Sequence, residues 1–192
     1  MFHFKHFSLH HDRCAVKVGT DALLLGGWAD FSVAQRILDI GTGCGVLALI
    51  AAQRNAQAMI DAVEIDEAAA AQAAKNFASS PWPGRLRAHL MDARRLTSGH
   101  SFDLIICNPP FYSGEMGSPD ERTQLAKHSA SLDFPDLLEQ ADRLLGEHGR
   151  LNVIIPANRS DEFAGEGERM GKCNGTLSPG LNFLVPFVDR VA

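Results

Sequence analysis

No apolar run in this 192-residue sequence approaches the roughly 20 residues that a bilayer span requires; the longest, such as Ala22–Trp28 and Val46–Ala52, are far shorter. The N-terminus, MFHFKHFSLHHDR, lacks the apolar core of a secretion signal, so the expectation is a cytoplasmic protein with no membrane partner. Paired cysteines are lacking too. Cys14, Cys44, Cys107 and Cys173 are scattered, with no C-x-x-C and no even spacing, which excludes a zinc knuckle or a disulfide framework and leaves reduced thiols. His3, His6, His10 and His11 gather near Cys14, but their spacing matches no structural zinc pattern, and no metal is expected. Basic charge is not in excess either: 18 Lys and Arg against 23 Asp and Glu give a net charge of −5. That excludes a protein that coats nucleic acid nonspecifically, while leaving room for a local patch. Lys5, Arg13 and Lys17, interleaved with Phe2, Phe4 and Phe7, form one candidate for phosphate and base contact; its plainer reading is a solvated polar arm.

What is present is an ordinary globular composition, 45% hydrophobic and 21% charged, at a length suited to one domain with a real core. RILDI (36–40) reads as a strand, followed by glycines 41, 43 and 45 and by the apolar helix VLALIAAQ. MIDAVE (59–64) is a second strand, Asp66 a helix cap, and EAAAAQAAKNFA a helix of high propensity. Residues 86–91 and 102–107 give a third and a fourth strand. Pro135 and Gly146 bracket a helix with apolar residues at helical spacing, and GRLNVIIP (149–156) is a fifth strand. Strands alternating with helices across short connections predict a doubly wound, mostly parallel α/β sheet.

In such sheets ligands sit beyond the carboxyl ends of the strands, near the point where strand order reverses. The residues at those ends are Asp39 to Gly45, Glu64, Asp92, and Asn108 to Phe111. DIGTGCG resembles a dinucleotide fingerprint but carries Val46 where that fingerprint needs its third glycine, and Asp39 beside it suits a cationic ligand better than a pyrophosphate. Glu64, about twenty residues on, can accept from both hydroxyls of a ribose. Asp92 can accept from an adenine amine or be a plain loop aspartate. In NPPF, the Asn108 amide oxygen and the Pro109 carbonyl are two fixed acceptors, matched to the two hydrogens of an NH₂ group, and Phe111 offers a ring for stacking the base that bears it.

DIGTGCG, VEID, MDA and NPPF, in this order, resemble the class I S-adenosylmethionine-dependent methyltransferases that act on exocyclic or amide nitrogens. FKHFSLHHDRCAVKVGTDALLLGGWA, with the motifs that follow it, is similar to the tRNA1(Val) adenine-N6 methyltransferase family over about residues 2 to 163. The resemblance implies a Rossmann-like sheet and S-adenosylmethionine as cofactor. It also implies tRNA as partner, with the adenosine 3′ of the anticodon as target and a monomer for the full-length family. It assigns Asp39, Gly41, Gly43 and Gly45 to the methionine end of the cofactor, Glu64 to the ribose and Asp92 to the adenine. Lys17, Gly19, Thr20 and Asp21 become an access segment closing over the cofactor, within an N-terminal stretch 1–28. Asn108, Pro109, Pro110 and Phe111 receive the target base, Asn108 touching the cofactor as well. A glutamine-N5 methyltransferase shares NPPF and the loop, a noncatalytic RNA-binding protein explains the N-terminal arm, and a nicotinamide oxidoreductase shares only the sheet.

Residues 164–192 stand apart from the domain 1–163. Members of this class usually finish the sheet with a helix and an antiparallel strand pair, yet the only apolar run of this tail, LNFLVPFV, is broken by Pro186. The expectation is that the C-terminal strands are missing or altered, as in a truncated, frameshifted or divergent terminus. The fifth strand would then keep a bare edge, leaving a marginally stable, self-associating chain of weakened activity.

Overall fold

The computed structural model describes residues 1–109, 132–169, 183–184 and 187–189. Pro110 and Phe111 of the NPPF motif, Cys173 and most of the tail lie outside the described residues. The chain opens with a hairpin of β1 (Phe2–His3) and β2 (Ser8–Leu9), then α1 (Thr20–Trp28). It continues with β3 (Arg36–Ile40), α2 (Val46–Arg54), β4 (Met59–Glu64), α3 (Glu67–Ala78), β5 (Leu86–Leu90) and β6 (Phe102–Cys107). α4 (Phe134–Leu144), β7 (Leu145–Val153), β8 (Ile155–Pro156) and α5 (Ser160–Arg169) follow, with β9 (Phe183–Leu184) and β10 (Phe187–Asp189) last.

The central sheet has the order β10-β7-β6-β3-β4-β5. β7, β6, β3, β4 and β5 run parallel, and β10 is antiparallel to β7. The chain builds outward from β3 through β4 to β5, then crosses back to lay β6 on the other flank of β3. The strand order therefore reverses between β3 and β6, which fixes where a ligand crevice forms.

Alternation along each strand divides the core in two. Ile37, Ile60, Ala62, Leu104 and Ile106 face one way, into α1, α2, α3 and the N-terminal aromatic residues. Leu38, Val63, Ile105, Leu151 and Val153 face the other way, into Leu137, Leu138 and Ala141 of α4 and Phe163 of α5. α2 is buried on most sides because it lies directly over β3 and β4, as its nearly continuous apolar run requires. α1 packs closely on α2 because Gly26 has no side chain: a Cβ there would sit 2.7 Å from Ile50 Cδ1. Asp66 caps α3 by accepting from the Ala69 N–H at 2.8 Å, and Asp133 caps α4 in the same way through Asp136.

Three sequence expectations change. Gly146 does not end a helix, because α4 stops at Leu144 and β7 begins at once, pairing Leu145 with Phe102. The β6–β7 register then slips between Phe102 and Leu104, and Gly149 fits where a Cβ would lie 2.8 Å from the Phe102 carbonyl oxygen. Residues 160–169 form a helix that runs through position 163. The edge of the fifth strand is not bare: Phe187, Val188 and Asp189 pair with Asn152, Leu151 and Arg150. Pro186 breaks the apolar run, but three residues beyond it suffice for an antiparallel ladder.

Candidate active site

At the carboxyl end of β3, five residues turn the chain into α2. The Gly41 and Thr42 amides both donate to the Val63 carbonyl, at 2.9 and 3.1 Å, so the loop starts by leaning onto β4. Gly41, Gly43 and Gly45 all have left-handed φ, at 70°, 56° and 86°, a region that costs other residues about 1–2 kcal/mol each. A Cβ at Gly41 or Gly43 would meet nothing within 4 Å, so those two leave an open cradle above the backbone. At Gly45 it would strike the Phe77 ring at 2.4 Å, so the third glycine also serves packing on α3.

Asp39 lies beneath this loop with no exposed surface. Its Oδ2 accepts from the Thr42 hydroxyl at 2.5 Å and from the Ala48 N–H at 3.1 Å, bracing both sides of the turn. Its Oδ1 is buried without a partner among the described residues. Burial pushes the carboxyl up to about 7, against the two hydrogen bonds that favour the anion. An orphaned carboxylate oxygen next to an open glycine cradle fits a cationic ligand.

Glu64, the last residue of β4, accepts from three backbone donors. Oε2 takes the Gly43 N–H at 2.8 Å, and Oε1 takes those of Ile65 and Asp66 at 2.9 and 3.0 Å. With about four lone-pair sites on the carboxylate, the three donors leave room for roughly one more, such as a ribose hydroxyl. Asp92, after β5, is held by the Arg94 guanidinium, which reaches both oxygens between 2.8 and 3.0 Å and lowers its pKa. The same guanidinium touches Asp136 of α4 at 3.3 Å. Ile65, directly after Glu64, and Leu90, at the end of β5, are exposed apolar residues at these strand ends, 44% and 56% exposed. Neither apolar residue is conspicuous in the sequence; their signal is only that each sits at a strand end.

Ile40 is in register with Cys107, so Asn108 follows β6 beside the start of the glycine loop. Asn108 is half-buried and Pro109 buried. The structure thus brings Asp39, the three glycines, Glu64 and Asn108 to one end of the sheet at its switch point. Asp92 lies on the same rim, two strands away.

The N-terminal segment is arranged differently from a free nucleic-acid arm. Phe7 is buried, Phe4 stacks on it with centroids 4.4 Å apart, and Phe7 meets Trp82 edge-on at 5.8 Å, so these rings build core. Lys5 and Arg13 stay exposed. Lys17 Nζ donates to the carbonyls of His11, Asp12 and Cys14, at 2.9, 3.1 and 3.2 Å, which makes its ammonium a clasp for the loop before α1. Gly19 precedes the first turn of α1, which holds Thr20 and Asp21. His11 Nδ1 accepts from the Val18 N–H at 3.2 Å, and His3 bonds Ser8. Among the described residues no three His, Cys, Asp or Glu side chains are grouped to hold a metal ion, and no helix is long and apolar enough to cross a membrane. Cys14, Cys44 and Cys107 are free and buried, and burial pushes the Cys14 thiol up to about 12, away from nucleophilic use.

Residues 15–164 match the methyltransferase small domain family. A tRNA1(Val) (adenine(37)-N6)-methyltransferase from Dyadobacter fermentans is 45% identical over 170 residues, covering 88% of this chain and 71% of its own length. The protein of the same name from Tolumonas auensis is 48% identical over 163 residues, covering 84% and 68%. Among solved structures, a 16S rRNA N2 methyltransferase from T. thermophilus, in complex with AdoMet and guanosine, superposes with TM-score 0.66 at 21% identity. That match covers 92% of this chain and 44% of the other. A ribosomal protein L11 methylase from Lactobacillus delbrueckii superposes with TM-score 0.64 at 18% identity, covering 89% and 77%. The fold is that of the class I S-adenosylmethionine-dependent methyltransferases. Within that class the chain belongs to the methyltransferase small domain family and, in it, to the tRNA1(Val) (adenine(37)-N6)-methyltransferases.

Proposed function

We propose that this chain methylates the exocyclic N6 of the adenosine just 3′ of the anticodon in a tRNA, with S-adenosylmethionine as donor. The observation that carries the reading is Asn108–Pro109 placed directly beside the glycine loop, in a chain whose relatives at about 45% identity bear that activity in their names. An enzyme of this kind works where tRNA is found, in the cytoplasm.

When bound, S-adenosylmethionine supplies an electrophilic methyl group on a sulfonium. Glu64 would accept from a ribose hydroxyl through its remaining lone pair, while its three backbone bonds keep the carboxylate from turning. Asp92, oriented by Arg94, would accept from the adenine amine of the cofactor, and the exposed Ile65 would offer apolar surface to the ring. Asp39, buried beneath the loop, would act on the positive charge at the methionine end through the field of its carboxylate. Lys17 and the residues Gly19, Thr20 and Asp21 carry the access segment over the site.

An adenine amine is a poor nucleophile because its lone pair is delocalised into the ring. Asn108 Oδ1 and the Pro109 carbonyl accept its two hydrogens and favour a pyramidal nitrogen whose lone pair is free to attack. Pro110 and Phe111 complete the motif, with stacking of the target base assigned to Phe111. No residue need act as general base: the new N–C bond forms as the methyl–sulfur bond breaks, a neutral thioether (S-adenosylhomocysteine) would be the leaving group, and the proton leaves the nitrogen to water afterwards. Positioning supplies most of the rate. A target in a single-stranded loop lowers the cost of presenting the base.

The test is incubation with labelled S-adenosylmethionine and separate tRNA and protein fractions. Label in tRNA is expected; label in protein glutamine would transfer the site to the glutamine-N5 reading, and no label in either would leave a binding protein.

A further inference from the structure

α3 carries two buried amides one turn apart, Gln72 and Asn76, 5% and 2% exposed. Asn76 uses its amide completely: Nδ2 donates to the Cys44 carbonyl and to the His10 carbonyl, both at 2.8 Å, and Oδ1 accepts from the His10 N–H at 2.9 Å. Two carbonyls on one side and one N–H on the other fix which way the amide points. Cys44 lies inside the glycine loop, between Gly43 and Gly45, so one side chain grips the cofactor loop and the N-terminal segment together. Gln72 holds that segment alone. Its Oε1 accepts from the Arg13 N–H at 3.0 Å and from the Cys14 thiol at 3.3 Å, and its Nε2 donates to Asp12 at 2.9 Å.

The connection continues toward the access segment. His11, next to His10, accepts from the Val18 N–H, and Lys17 clasps the carbonyls of His11, Asp12 and Cys14. Gly19, Thr20 and Asp21 follow directly. A path of hydrogen bonds and adjoining backbone thus runs from the Cys44 carbonyl through Asn76, His10, His11 and Val18 to the start of α1. Phe77, the neighbour of Asn76, presses its ring on Gly45, so α3 holds the loop from two adjacent positions.

We propose that Asn76 is a positioning residue that couples the glycine loop to the N-terminal segment, so that occupation of the cofactor site orders residues 10–21 and closes the access segment. The inference rests on the methyl-transfer reading of the site and adds to it a residue that touches neither cofactor nor substrate. A bond that merely anchors the N-terminus would contribute stability and transmit nothing. A coupling bond makes the two segments respond together, and the effect is reciprocal.

The experiment is hydrogen–deuterium exchange on the full chain with S-adenosylhomocysteine as the probe, beside calorimetry of the same ligand. In the wild type, protection is expected over residues 41–45 and also over 10–14. In Asn76→Ala the loop still gains protection, residues 10–14 do not, and affinity falls about tenfold. Asn76→Asp keeps the acceptor for the His10 N–H while losing the donors to both the Cys44 and the His10 carbonyls, and the same loss of transmission is expected. Gln72→Ala loosens residues 12–14 in the free protein but leaves affinity within about twofold. Protection of residues 10–14 that survives in either Asn76 variant, or is absent from ligand-bound wild type, overturns the coupling. A wild type that binds no S-adenosylhomocysteine overturns the functional reading and the coupling with it.

Discussion

The Gly43 N–H donates to Glu64 Oε2 at 2.8 Å, which joins the loop leaving the first parallel strand to the carboxylate ending the second. The same carboxylate caps the Ile65 and Asp66 amides, so one side chain shapes the loop and, on the proposed reading, would also meet the ribose. Glu64→Ala removes a charged acceptor from the ribose, worth roughly 1.5–3 kcal/mol per hydrogen bond. S-adenosylmethionine binding weakened by about 10- to 150-fold in calorimetry is expected, and an unchanged affinity would take Glu64 out of the site.

Asn108 separates binding from chemistry. It stands at the end of β6, beside the loop; in the proposed mechanism its amide oxygen would meet the reacting amine and not the bulk of the cofactor. Asn108→Ala should bind S-adenosylhomocysteine within about threefold of wild type and lose about 10²–10³ in turnover, as for other positioned hydrogen-bonding groups. Wild-type turnover in this variant would sink the mechanism.

Asp39 gives the stability a definite pH dependence. Burial raises its carboxyl from 3.8 to about 7, so the folded chain keeps a proton that the unfolded chain releases. The stability from this group is fully present below about pH 4 and is lost as pH rises to about 7. Thermal melts from pH 5 to 8 should show this slope in the wild type and less of it in Asp39→Asn. A cation bound nearby favours the ionised form, so S-adenosylmethionine should bind more tightly at pH 8 than at pH 6. Equal slopes in both proteins would show that Asp39 is not the group that titrates.

Gly45 is required twice, by a φ of 86° and by the Phe77 ring 2.4 Å from where a Cβ would lie. Gly45→Ala should cost about 1–2 kcal/mol from backbone conformation alone, before any displacement of Phe77. Denaturant unfolding measures it. A cost below about 0.5 kcal/mol would mean that the loop relaxes without loss.

Much of the sheet is legible in the sequence because its signals are local. RILDI, MIDAVE and FDLIIC form strands at their expected limits, and the alanine-rich helix begins at its Asp66 cap. Asp39, Glu64 and Asn108 stand out because each ends an apolar strand. The N-terminal hairpin is too short for a periodic signal, and the end of α4 is decided by strand pairing of Leu145, not by Gly146. Gln72 and Asn76 are less visible: two polar residues in EAAAAQAAKNFA read as a solvated helix face. Their four-residue spacing, one face of a turn, is the only local hint. Their partners lie up to 66 residues away. The contact of Arg94 with Asp136 is equally invisible, since it spans 42 residues.

The most direct measurement is nucleoside mass spectrometry of an unmodified tRNA1(Val) transcript after incubation with this protein and S-adenosylmethionine, with a second transcript carrying guanosine in place of the adenosine 3′ of the anticodon. The expected result is N6-methyladenosine at that position in the first transcript and no methylation of the second. Equal methylation of both transcripts, or methyl groups found only on protein glutamine, would contradict it.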